Sequence, residues 1–157
     1  MALKPDRSYF VDDDMSFFCY TTGERGKVVV YDTDALGGSG AAMDNPNSRV
    51  KILSENDSAS GTIPAGIILQ DVVNKDLSQT HLNEHKDEVQ VGGKVTVVRK
   101  GWFVTNCISG TPTVGATAYY SDNSDFTPSS AGNGGVAVGK FLSKLDPDGY
   151  AKVQVNL

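Results

Sequence analysis

Basic charge is scarce in this chain. Its 14 Lys and Arg stand against 19 Asp and Glu, for a net charge of −5. That balance argues against a nucleic-acid binder, because phosphate contacts need clustered cations. Long apolar runs are missing too. No stretch reaches 18 apolar residues, so no membrane-spanning helix is expected. The opening MALKPDRSYFVDDD also lacks the apolar core of a secretory signal. The sequence therefore reads as a soluble protein made in a cytoplasm. Cysteine is nearly absent: Cys19 and Cys107 lie far apart, and a reducing compartment favours two separate thiols. Cys19 then belongs with the apolar Phe17-Phe18-Cys19-Tyr20 cluster. A bridge would contribute on the order of 4 kcal/mol, but only with a geometry that spacing alone does not supply.

What the chain does have is strand and turn chemistry. At 39% hydrophobic and 21% charged it is globular, and 17 Gly against 6 Pro suits many turns. Four apolar runs fill the C-terminal part: Lys94–Thr105, Ala116–Ser121, Gly135–Leu145 and Tyr150–Leu157. Between them lie Gly110-Thr111-Pro112, Asp122-Asn123-Ser124-Asp125, Gly132-Asn133-Gly134-Gly135 and Asp146-Pro147-Asp148-Gly149, all of them residues that tolerate or pre-set turn dihedrals. The last run has the clearest period. Ala151, Val153, Val155 and Leu157 share one face, with Lys152, Gln154 and Asn156 on the wetter one. Earlier strands are expected at Lys27–Tyr31, Val50–Leu53 and Ile63–Val73. The expected fold is mostly β: a small β-barrel or sandwich with tight turns, an extended N-terminal arm and at most short helical turns. Residues 1–22 are the arm and 23–157 one β domain, with 74–90 a polar insertion loop.

Three patterns suggest chemistry and fail on context. His81-Leu82-Asn83-Glu84-His85 fits a zinc-hydrolase helix, yet its segment offers only Leu77, Leu82 and Val89 to bury, and no third ligand is evident. Gly134–Lys140 fits G-x-x-x-x-G-K, but Phe141 stands where a magnesium-binding hydroxyl belongs and Val136-Ala137-Val138 reads as strand. Asp12-Asp13-Asp14 reads as a solvated acidic bend, since a cation site needs oxygens converging from separate chain positions. No catalytic residue, metal site or cofactor is expected. The chain reads as a non-enzyme.

One succession of residues points further. A valine-rich strand enters Gly101-Trp102-Phe103. Then come Val114-Gly115-Ala116-Thr117-Ala118-Tyr119-Tyr120, Phe126-Thr127, Val136-Ala137-Val138-Gly139 and Ala151-Lys152-Val153-Gln154-Val155. From about Gly61 onward this resembles the capsid decoration (cement) proteins of tailed bacteriophages. The resemblance implies a virion structural protein, assembled in the host cytoplasm and placed on the capsid exterior. There it would bind the outer surface of the head and stabilise contacts between major capsid protein subunits, often as a trimer, with no nucleic-acid or membrane partner. The candidate contact residues are Tyr9, Phe10, Val11, Phe17 and Phe18. These two aromatic clusters lie in an arm that, fully extended, reaches about 70 Å at ~3.3 Å per residue. The alternative is a β-sandwich module for carbohydrate or receptor, with Trp102, Tyr119 and Tyr120 as a stacking face.

Overall fold

The computed structural model describes residues 10–32, 49–54, 57–72, 88–89, 93–130 and 135–157. Among them are eleven strands and no helix. The first six are β1 (Phe10–Cys19), β2 (Gly23–Glu24), β3 (Val28–Tyr31), β4 (Arg49–Lys51), β5 (Pro64–Val72) and β6 (Glu88–Val89). Then come β7 (Lys94–Thr105), β8 (Thr117–Tyr120), β9 (Phe126–Thr127), β10 (Ala137–Phe141) and β11 (Ala151–Asn156). The fold is mostly β, as the turn-rich sequence implies. The stretch read as an arm is, over Phe10–Cys19, a strand paired within the chain's own sheet, and β7 spans the 12 residues expected of it.

Nine strands form one mixed sheet in the order β1-β4-β3-β5-β7-β11-β10-β8-β9, and β2 with β6 forms a separate pair. Only β1 and β4 run parallel. A further pairing of β1 with β7, from Phe10 opposite Trp102 to Phe18 opposite Lys94, brings the first five strands back on themselves as a ring. The opposite edge of β7 is divided: β5 takes its first half, Lys94 to Val98, and β11 its second, Lys100 to Thr105. From β7 the strands β11, β10, β8 and β9 continue as a flange.

Two cores follow from this arrangement. The smaller fills the ring, and every ring strand contributes to it: Phe17 and Cys19, Val50, Val29, Ala65 and Ile68, Val95 and Val97. The larger lies between the flange and the outer surface of β3 and β5. Val28, Val30 and Ile67 there meet Phe103, Tyr120, Phe126, Phe141, Val153 and Val155. Adjacent residues such as Val28 and Val29, or Ile67 and Ile68, therefore enter different cores, and both are buried. Strands covered on both faces read as continuous apolar runs, whereas β11, covered on one, alternates.

Strand β7 serves both cores by changing face. Val95 and Val97 enter the ring, but Phe103, of the same parity, enters the flange core. The change falls around Gly101, where a Cβ would collide with the Phe10 carbonyl oxygen. Opposite it, β1 shifts register between Val11 and Asp13 and again between Asp13 and Asp14. Asp12 is the extra residue on β1 at the first shift and Arg99 the extra residue on β7 at the second, so each strand carries a β-bulge, the device by which a strand bends and re-aims its side chains. Lys100 Nζ meets Asp12 Oδ2 there at 2.6 Å, and hydrogen bonding to that carboxylate raises the lysine's pKa.

Turns fasten the flange back onto the ring. Ser124, buried with φ of 61°, accepts the Val28 N–H on its carbonyl at 2.9 Å and the Leu53 N–H on Oγ at 2.8 Å. Asp122 Oδ1 accepts the Ala59 N–H at 2.7 Å. A left-handed non-glycine backbone is strained, and these bonds hold it in place. On the ring, Arg49 Nη2 lies 2.8 Å from Asp32 Oδ2, with both side chains under a tenth exposed. The guanidinium also sits over Tyr20, 5.0 Å from the ring centroid.

Both thiols are buried and unbridged. Burial raises the pKa of Cys19 and, with the negative charge of Asp125, pushes Cys107 up to about 11.

Three tests address this architecture. Val153→Ala should cost about 1–3 kcal/mol of unfolding free energy. Gln154→Ala, on the exposed face, should be near neutral; equal effects in chemical denaturation would refute the register. Arg49→Met should destabilise the fold by removing a buried cation from beside the Asp32 carboxylate, and adding Asp32→Leu should recover part of the loss. A single change as mild as a surface one would show the pair to be solvated. The folded Cys107 thiol keeps its proton toward about 11, against the ordinary 9.0. Its contribution to stability is therefore full below pH 9 and declines as pH climbs from 9 toward 11. Cys107→Ser should flatten that decline in melting temperature.

Candidate docking face

Strand alternation separates the five residues singled out at the N-terminus. Tyr9 lies outside the described residues. Phe10 is 54% exposed, opposite Trp102, while Val11 turns inward against the larger core. Phe17 is 8% exposed inside the ring, edge-on to Tyr31 at 5.8 Å between centroids. Phe18, half-buried, has Lys94 Nζ 5.5 Å from its ring centroid. Of the four described, Phe10 alone is more than half exposed, since the others are drawn into or over the chain's own packing.

The three aromatics considered for stacking do not form a platform. Tyr120 is fully buried, and its hydroxyl donates to the Thr62 carbonyl at 3.0 Å, so it belongs to the core. Trp102 and Tyr119 are half-buried on the outer side of the flange. The Trp102 ring carries Lys152 Nζ 3.6 Å from its centroid, which occupies the face a sugar would need. The His81–His85 segment lies outside the described residues. The part of Gly134–Lys140 that is described continues into strand β10, as its valines suggested.

Register assembles a different surface. Phe10 stands opposite Trp102, Trp102 opposite Gln154, Gln154 opposite Lys140 and Lys140 opposite Thr117. Directly opposed residues share a face, so this row crosses β1, β7, β11, β10 and β8 on the side away from the larger core. Val104 and Lys152 form the next pair on one side of this row, and Lys100 and Asn156 the next on the other.

Two grooves open on this face. One, of about 410 Å³, lies between Trp102, Val104 and Lys152 and the Ser143–Asp146 turn. The other, of about 390 Å³, lies between Lys140, Gln154 and Thr117. Its floor is Gly139, where any Cβ would strike the Gln154 carbonyl oxygen. In the first groove Asp146 Oδ1 accepts the N–H groups of Asp148 at 3.0 Å and Tyr150 at 2.8 Å. It is thereby fixed as a turn cap. The face offers ammonium and amide donors, one indole and short apolar side chains. It offers no paired nucleophile and base. No group of three or more His, Cys, Asp or Glu is placed to hold a metal among the described residues. Such a surface is suited to binding.

Sequence reasoning found Lys152 and Gln154 on the wet side of β11 through their period. It missed Lys140 and Phe10 as members of the same face, because only strand register places them there.

The model of one protein family, described as XM1 gp53 minor capsid protein, matches residues 20–154. That span runs from the end of β1 to within two residues of the end of β11. No curated protein matches the chain.

Proposed function

We propose, for a chain that belongs to the XM1 gp53 minor capsid protein family and is therefore a structural protein of a phage capsid, that it binds the outer surface of the head and reinforces contacts between major capsid protein subunits. The family match across nearly all of the sheet is the observation that carries this reading. The outer sheet face supports it: no described residue covers it, and it holds both grooves and is bordered by exposed Phe10. A ring and a flange sharing one strand make a stiff body, and a stiff body resists the displacement of subunits it spans.

The contact is proposed to begin at the N-terminal side of β1, with Phe10 at the rim of the face and Tyr9 next to it in sequence. Burying two aromatic side chains at ~25 cal/mol per Å² contributes several kcal/mol before ordering costs. One copy therefore binds modestly, and a homo-oligomer such as a trimer would strengthen binding through multivalency. Val11 and Phe17 act from within, by holding β1 on the sheet.

The test separates contact from folding. Removing residues 1–22 would strip Phe17 and Cys19 from the ring, so the informative variant removes residues 1–9 and carries Phe10→Ser. It should melt within a few degrees of the full chain. Its cosedimentation with heads purified from phage lacking this protein should be markedly reduced. Equal cosedimentation would move the contact off the N-terminal rim. A full-length chain that fails to cosediment would refute head binding itself.

A further inference from the structure

We infer that the outer sheet face takes a carboxylate-rich segment of a capsid-shell protein, gripped by Lys140, Lys144 and Lys152; this rests on the head-binding reading above.

Opposite charges fail to meet at the two grooves. Three cations outside the grooves face carboxylates: Lys27 faces Asp125 at 3.4 Å, Arg49 faces Asp32, and Lys100 faces Asp12, while Lys94 lies over the Phe18 ring. Lys140, Lys144 and Lys152 have no ion pair among the described residues, and all three line the two grooves. The one carboxylate in those linings, Asp146, is committed to capping its own turn. The face is therefore a positive island on a negative protein.

Its geometry suits carboxylates on a protein segment. Lys140 is directly opposite Gln154, and Lys152 is two residues from Gln154 on the same face of β11. Such diagonal neighbours stand about 7–8 Å apart, close enough for neighbouring acidic side chains to reach both. The Gln154 amide sits between them as a further donor. Lys152 is held in place by the Trp102 ring, so little of its mobility remains to be lost on binding. The indole and Val104 form an apolar floor, where a carboxylate–ammonium pair is screened less than in open water.

A nucleic acid fits less well. Nucleic-acid affinity rests on neutralising about 6–10 phosphates, and three lysines on an acidic chain fall short of that.

The test is the triple variant Lys140→Glu, Lys144→Glu, Lys152→Glu in the full chain, with Lys152→Arg as its partner. Both are titrated against heads purified from phage lacking the protein, as salt rises from about 50 to 200 mM. Wild type should bind with a steep salt dependence. The triple variant, folded by thermal melting, should bind at least about tenfold more weakly, and Lys152→Arg should bind as wild type does. A triple variant that binds heads normally, or wild-type binding indifferent to salt, overturns the proposal and leaves head binding intact. Wild type that does not bind heads overturns the earlier reading instead. Self-association of the isolated chain that the triple variant abolishes would make a second copy the occupant. Binding to duplex DNA lost in the triple variant would make it a nucleic acid. Either result overturns the shell-protein assignment.

Discussion

A β-strand has two edges, and in β7 both are used along most of its length. One edge carries β1; the other is shared end to end by β5 and β11. Ring and flange are therefore not two domains joined by a linker, since they divide a single strand between them. Backbone hydrogen bonding links every strand of the large sheet to this one line of twelve residues, directly or through one or more neighbours.

Sharing a strand forces a geometric solution midway along it. The interior of the ring and the interior of the flange lie on different sides of β7, so its side chains must exchange faces near Gly101. A glycine on β7 and a bulge on β1 meet this need together, because the Phe10 carbonyl approaches where a side chain would otherwise stand. The Asp12–Asp14 triplet suits a bulge because its side chains stay in water while the backbone leaves the regular ladder.

This arrangement also explains which parts of the fold were legible in the sequence. Strand β11 shows a clean period because one face is wet, and β7 is conspicuous through length and valine content. The runs at Val28–Val30 and Ile67–Ile68 are recognisably strand, but their lack of alternation conceals the two cores they separate. Strand β1 was read as an arm because its aromatic clusters are split by three aspartates. In isolation that pattern resembles a solvated bend, and only pairing with β7, some eighty residues later, reveals the bulge at Asp12. Strand β9, at two residues, has no periodicity to read. The docking face was half visible: Lys152 and Gln154 follow from period, but Lys140 and Phe10 join them only through register. The phage-capsid reading came from the order of glycines, tyrosines and valines in the C-terminal part, and the family match covers that part and reaches back to residue 20.

The position of β11 in the sheet has a consequence for how the polypeptide is made. It lies between β7 and β10, in the middle of the sheet and not at its border, yet it comes last among the strands. On the ribosome, β8, β9 and β10 emerge before the strand that ties them to β7. The nascent chain thus carries an unfilled slot, lined by the partners of Val153 and Val155, until residue 156 has cleared the exit tunnel. Completion of the flange must wait for that strand, and is slow in the manner of sheets built from distant pairings. In that interval the open edges of β7 and β10 are exposed to one another and to any neighbouring chain.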